Sequence, residues 1–158
     1  MAIAYIGIGS NLGDRHDNCR RAIELLKKSG LIVSKQSSMY ETEPWGLIDQ
    51  PAFVNMAIEI ETELDPQGLL TLLKRIEKEM GRQETARWGP RIIDLDILIY
   101  DEIVLQNDAL TIPHPLMHER EFVLGPLSEI AKDLLHPVLK KKISDLLRDV
   151  QGMKQNRR

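Results

Sequence analysis

The sequence predicts an α+β fold: a β-α-β-β-α-β core on the ferredoxin-like plan, forming an α/β/α sandwich with a helical extension at its C-terminal end. Three observations predict it. Two helical periodicities alternate with strand-like runs, in that order, between residues 2 and 100. Breakers stand at the joints, at Gly30, Pro44, Asp65-Pro66 and Gly81. No internal repeat, low-complexity tract or linker-like stretch interrupts the 158 residues, which suits a single domain over 1–158.

Ala2–Gly9 alternates and is apolar enough to be a buried strand. Ser10-Asn11-Leu12-Gly13 is a turn. Asp14 caps a helix running to about Ser29, with Cys19, Ala22, Ile23 and Leu26 on one face. Gly30 stops it. Leu31–Glu43 reads as one extended segment, ended by Pro44, which disfavours helix in the residue before it. Trp45 to Pro51 is a loop. In the next strand, Ala52–Glu63, Val54, Met56, Ile58 and Ile60 point one way, and Phe53, Asn55, Glu59 and Glu61 the other. Asp65-Pro66 opens a second helix, a cap followed by proline at the first helical position. Leu69, Leu70, Leu72, Leu73, Ile76 and Met80 form its apolar side, and Gly81 ends it. Arg82 to Arg91 is a polar loop, and Ile92–Tyr100 the last central strand. Farther on, Ile143, Leu146, Leu147 and Val150 sit at helical spacing, so Lys140–Val150 reads as a helix. Residues 151–158 read as a flexible tail.

Composition narrows the function. Hydrophobic residues at 42% and charged residues at 28% exclude disordered, collagenous and coiled-coil chains. A net charge of −3 argues against a generally basic nucleic-acid binder. The stretch 140–158 is basic, with seven Lys/Arg and two Asp/Glu, and reads as the solvated face of an amphipathic helix more readily than as an anion-docking tail. Cys19 is the single cysteine, so no intrachain disulfide forms, in keeping with a reducing compartment. No apolar run approaches the roughly 20 residues that cross a bilayer, and the first residues lack a basic n-region. The expectation is a cytoplasmic protein without membrane or nucleic-acid partners.

The strongest chemical signal is Asp94-Leu95-Asp96 within Ile92–Tyr100. Side chains two apart share a face of a strand, so Asp94 and Asp96 project together, with Ile93, Leu95, Ile97 and Ile99 opposite. Two carboxylates in an apolar strand are costly without partners. A hard divalent cation keeps both ionised, and Mg²⁺ prefers one or two carboxylates plus phosphate oxygens and water. The plainer alternative is a strand end with two solvated aspartates. Arg82, Arg87 and Arg91 lie in the loop feeding this strand, and arginine binds phosphate through a fixed fork of donors. Together the two halves suggest a polyphosphate held from both sides.

Trp88 covers a base or anchors its loop. His114, in Ile112-Pro113-His114-Pro115, reaches a phosphate or is a surface histidine. Phe53 and Phe122 are the only phenylalanines, and Phe53 shares its strand face with Asn55. An aromatic ring beside an amide suits a flat heterocycle, although phenylalanine more often packs a core. His16, His118 and His136 lack metal-ligand spacing, so zinc is not expected. No P-loop is present. Gly7-Ile8-Gly9-Ser10-Asn11-Leu12-Gly13 is one residue longer than the dinucleotide fingerprint and reads equally as a turn. An RNA-binding module of the same plan would need basic, aromatic strands, which this chain lacks.

These residues resemble the 6-hydroxymethyl-7,8-dihydropterin pyrophosphokinases of folate biosynthesis. The resemblance rests on blocks in family order: Tyr5 to Asp14, Tyr40-Glu41-Thr42-Glu43-Pro44, Gln50 to Asn55, Gly81-Arg82, Arg87 to Asp96, Pro113-His114-Pro115, and Arg120 to Leu124. It implies transfer of the β,γ-diphosphate of ATP to the pterin hydroxymethyl group, leaving AMP. It implies two Mg²⁺ ions on Asp94 and Asp96, and phosphate contacts from Arg82 and Arg91. It puts ATP at Arg87, Trp88, Ile97, His114 and Arg120. It puts the pterin between Phe53 and Phe122, with Asn55 and the Thr42, Glu43, Pro44 and Trp45 backbone at its edge. A monomer is expected. By the same resemblance, the chain departs from many relatives at Glu84 and from some at Lys74 and Pro115.

Overall fold

Alternating apolar residues over Ala2–Ser10 form β1, the centre of a sheet in a computed structural model that describes residues 1–42, 52–81 and 92–156. Asp14 caps α1 (Arg15–Lys28), accepting from the Asp17 N–H at 3.1 Å, and Gly30, at φ 96°, follows its end. Then come β2 (Ile32–Gln36), β3 (Tyr40–Thr42) and β4 (Phe53–Thr62). Asp65 caps α2 (Pro66–Glu79) as expected, accepting from Gly68 N–H at 2.7 Å, and Gly81 sits at φ 86° beyond it. β5 (Asp94–Tyr100) completes the sheet, beginning two residues later than expected.

The strand order is β2-β4-β1-β5, every neighbouring pair antiparallel. The unit β1-α1-β2 therefore straddles β4, and β4-α2-β5 straddles β1, which is the split plan the element order predicts. α1 and α2 cover one face, where Ile6, Ile8, Leu26, Val54, Ile58 and Leu73 are almost fully buried. Cys19 lies in this core, where burial pushes its thiol up to about 11, so it is an inert packing group. The other face is covered by α3 (Glu121–Ala131) and α4 (Ile143–Asn156), packed through Leu124, Leu127, Ile143 and Leu146 onto Tyr5, Ala57, Leu98 and Ile99. Burying each Leu or Ile stabilises by about 1.5–3 kcal/mol, so the faces of β1 and β4 are fixed by what they cover. A short hairpin, β6 (Leu105–Gln106) with β7 (Thr111–Ile112), lies beside β5.

Three expectations are corrected. The segment Leu31–Glu43 is not one strand but two, both paired to β4. Between them Ser37 hydroxyl accepts from Ala57 N–H at 2.9 Å, and Ser38 donates through its amide and hydroxyl to Glu129 of α3, which pulls the chain out of the ladder. The C-terminal helix starts at Ile143, three residues later than expected, and continues past Val150 to Asn156. The third concerns β5. Ile6 pairs with Ile97 but Tyr5 with Ile99, so Leu98 is an extra residue, a β-bulge. Ile93, Leu95 and Ile97 face α1 and α2 as predicted. After the bulge the phase reverses: Ile99 joins the α3/α4 side and Tyr100 the α1/α2 side.

Candidate active site

The face on which Asp94 and Asp96 project follows from the register. Gly9 stands between Asn55 on β4 and Asp94 on β5, and Gly7 between Ala57 and Asp96. Directly opposed residues of antiparallel strands share a face. Asn55, Asp94 and Asp96 therefore line the α3/α4 side of the sheet, at the end nearest Ser10. Neighbouring strands are about 4.8 Å apart, so Asn55 and Asp94 are separated by about 10 Å across Gly9. Successive aspartates are about 7 Å apart along the strand.

Gly7 and Gly9 are thus neither a phosphate-binding turn nor part of a dinucleotide fingerprint. They are strand residues whose missing side chains make room for their neighbours, the Leu98 side chain against Gly7 and the Asn55 and Phe53 side chains against Gly9. A Cβ on Gly9 would lie 2.9 Å from Asn55 Oδ1 and 3.6 Å from the Phe53 ring. Glycine inside a strand marks a close approach, and this signal was available in the sequence. Gly13, at φ 74°, alone makes the turn.

The negative charge at this end is concentrated. Burial, then the charges of Asp94 and Glu77, push the Asp96 carboxyl up to about 7, against the pull of Lys74 and Arg120. Glu77 is the residue that sequence reasoning passed over. It is 2% exposed on α2, its Oε2 accepts the Leu95 N–H at 2.8 Å, and Lys74 Nζ lies 3.7 Å from its Oε1. The bonded amide belongs to the residue between the two aspartates. A glutamate four residues after Leu73, on the buried stripe of α2, was the sequence signal for it.

His114 is tied to the same strand, its N–H donating to the Leu98 carbonyl at 2.9 Å. Its Nδ1 accepts from Leu116 N–H at 3.3 Å, so the neutral ring carries its proton on Nε2, a donor suited to phosphate or hydroxyl oxygen. Burial, then the nearby Arg120 cation, lower it to about 4 despite Asp94. It is uncharged at neutral pH. With Pro113 and Pro115, after the cis Ile112–Pro113 bond, it walls a cavity of about 230 Å³. Arg120 precedes α3, and its guanidinium lies 5.5 Å from the centre of the Phe122 ring. Phe53, first residue of β4, and Phe122, in the first turn of α3, stay half-buried and join neither core.

Of the expected site residues, Phe53, Asn55, Asp94 and Asp96 thus line one end of one face. Arg120 acts electrostatically on Asp96, and Asp94 on His114. Ile97 differs: its side chain is buried in the α1/α2 core. Thr42 is described through its backbone, paired with Phe53. Glu43, Pro44, Trp45, Arg82, Arg87, Trp88 and Arg91, with the departure at Glu84, lie outside the described residues.

A divalent cation fits this donor set. Two hard carboxylates share a face beside a third buried carboxylate, and a cation would relieve the charge that holds a proton on Asp96. No cluster of three or more His, Cys, Asp or Glu able to hold a metal occurs among the described residues.

A family model described as 7,8-dihydro-6-hydroxymethylpterin-pyrophosphokinase (HPPK) matches residues 5–132. The chain is 50% identical over 133 residues to the 2-amino-4-hydroxy-6-hydroxymethyldihydropteridine pyrophosphokinase of Bacillus subtilis (strain 168), covering 84% of this chain and 80% of that one. It is 42% identical over 145 residues to the enzyme of the same name from Aquifex aeolicus (strain VF5), covering 92% and 90%. Among solved structures, wild-type Plasmodium falciparum HPPK-DHPS with SDX-DHP matches with a TM-score of 0.75 at 19% identity. That match covers 98% of this chain but 45% of the other, so this chain spans less than half of that protein, and the likeness shows the fold alone.

Proposed function

This chain belongs to the 7,8-dihydro-6-hydroxymethylpterin-pyrophosphokinase family, and on that premise we propose how its residues divide the work. The reaction is the pyrophosphokinase step of folate biosynthesis, at the hydroxymethyl group of the dihydropterin. In our reading ATP is the donor and AMP the leaving nucleotide. The pterin lies at the Gly9 end of this face, with Asn55 at its ring edge and Phe53 and Phe122 on its two faces. Thr42, Glu43, Pro44 and Trp45 complete that edge. Asp94 and Asp96 hold Mg²⁺, two ions by family resemblance, which when bound would neutralise the triphosphate and lower the pKa of the attacking hydroxyl.

The chain's own residues supply positioning. Glu77 fixes the edge of β5 so that the two carboxylates keep their spacing. His114 offers its Nε2 proton and Arg120 its cation to the nucleotide, and the cavity beside Pro115 takes the base. Arg82 and Arg91 stabilise charge on the transferred diphosphate, and Arg87 and Trp88 bind ATP. No protein nucleophile is needed, because phosphoryl transfer gains mainly from alignment and electrostatics. We assign the whole of 1–158 to one catalytic domain, acting as a monomer in the cytoplasm. Among the described residues no helix is long and apolar enough to cross a membrane.

The observation that carries this reading is the register that sets Asn55, Asp94 and Asp96 on one face around two glycines. The test is to incubate protein, Mg²⁺, ATP and reduced 6-hydroxymethylpterin and resolve the products by mass. AMP formed in step with pterin diphosphate is expected. ADP with a pterin monophosphate would place the attack on the wrong phosphorus and refute it.

A further inference from the structure

We propose that Arg15 is a positioning residue for the pterin: it clamps the two chain ends that carry the β3 and β4 side of the pterin site. The inference rests on the pterin placement above. Arg15 is the first residue of α1, and its two terminal nitrogens reach different acceptors. Nη1 donates to the Ala52 carbonyl at 2.7 Å, and Nη2 to Glu41 Oε1 at 2.8 Å. Glu41 lies in β3, one residue before the chain leaves the described residues at Thr42. Ala52 is where it returns, one residue before Phe53. One guanidinium therefore ties both ends of the 43–51 segment to the helix.

The anchor itself is held firmly. Ser10 and Asn11, before the helix, are fully buried, and Asn18 Nδ2 donates to Leu12 carbonyl at 2.8 Å and to Ser10 Oγ at 3.2 Å. The Arg15 backbone is thereby set relative to β1, and hence to Gly9 and the aspartates beyond it. Its side chain is only 25% exposed, although its partner Glu41 is 56% exposed. What Arg15 controls is the height at which Phe53 and Asn55 enter over Gly9. Lysine can replace it only in part, since a single ammonium lacks the planar fork that reaches two acceptors on different strands.

The test measures binding rather than turnover. Affinity for oxidised 6-hydroxymethylpterin is measured in the presence of a non-hydrolysable ATP analogue and Mg²⁺. Affinity for the ATP analogue alone, melting temperature, and the split between KM and kcat are measured alongside. Arg15→Ala should weaken pterin binding about tenfold or more, the scale of a lost charge-assisted hydrogen bond. Its effect should fall on the pterin KM, with the ATP-analogue affinity held. Arg15→Lys should recover part of the loss. Glu41→Gln should lose less than Arg15→Ala, because the Ala52 bond remains, and the double variant should be no worse than Arg15→Ala. Unchanged pterin affinity in a folded Arg15→Ala protein would overturn the inference, and so would an equal loss of both ligands with a lowered melting temperature. If the unaltered protein failed to bind pterin, the placement above would fall and this inference with it. If it binds and Arg15→Ala binds equally well, only the clamp falls.

Discussion

Asp96→Asn should abolish turnover and yet stabilise the metal-free protein. The magnitude follows from the site. Burial and the charges of Asp94 and Glu77 push Asp96 from its ordinary 3.8 up to about 7. At 1.36 kcal/mol per pH unit, that difference is a ceiling of about 4 kcal/mol of folded-state cost above pH 7. The sign is set by proton counts. Between the two values the folded protein holds a proton that the unfolded chain has released, so stability falls as pH rises through this range. The cost is complete above about pH 7, about a third of it remains at pH 5, and it vanishes near pH 3. Asparagine keeps the shape and removes the charge, so the variant escapes the cost. For a chain of this length 1 kcal/mol moves the melting temperature by about 2–4 °C, so the gain at pH 8 is at most roughly 8–16 °C. The assay is thermal unfolding of both proteins in a chelator from pH 3 to pH 8, repeated at saturating Mg²⁺ and ATP. Added ligands should raise the melting temperature of the parent protein more than that of the variant. Equal melting temperatures at pH 8 without metal, or a gap that widens toward acid, would refute the reasoning.

Glu77→Leu should lower kcat by about tenfold or more, since it leaves the Leu95 amide without its acceptor, whereas Glu77→Gln, which retains an acceptor, should keep most of the rate; steady-state kinetics of the pair checks this, and a Gln variant as poor as Leu would mean that charge, not the hydrogen bond, matters. Gly9→Ala should weaken pterin binding with little change in ATP-analogue affinity, because its Cβ would stand 2.9 Å from Asn55 Oδ1; calorimetric titration of each ligand measures it, and unaltered pterin affinity would count against the proposed placement. His114 should stay neutral down to about pH 4 in the free protein. Its imidazole resonances, followed by NMR from pH 3 to pH 8, should therefore move only in the acid part of that range, and titration near 6.5 would show the ring to be less buried than described.

The core was legible because period and punctuation agreed. β1, α1 and α2 carry clean strand or helix periods, bounded by Asp14, Gly30, Asp65-Pro66 and Gly81. The departures are tertiary. Nothing local to Ser37 and Ser38 says that a glutamate 91 residues away will take the Ser38 amide. Ile97-Leu98-Ile99-Tyr100 is apolar throughout, so it offers no alternation from which an extra residue could be detected. α3 contains Gly125 and Pro126, poor helix formers, and owes its form to packing on β4 and α4. At the site, residues out of character for their setting were readable: two aspartates in an apolar strand, and a phenylalanine on the polar face of another. Glu77 was readable as a glutamate on the apolar stripe of Leu73 and Ile76, but its partner, the Leu95 amide, lies on another element. Arg15 follows a turn and looked like any solvated helix start, because both of its acceptors are distant in sequence.

The position of β5 has a consequence for solubility. It is the outer strand of the sheet, and an outer strand with unmet amides and carbonyls is a template on which a second molecule can pair. Here Glu77 occupies the Leu95 amide, His114 occupies the Leu98 carbonyl, and the bulge at Leu98 breaks the regular spacing that a visiting strand would need. Asp94 and Asp96 add like charges that repel an identical edge. The groups that prepare this strand for chemistry therefore also occupy the positions at which another strand would pair with it.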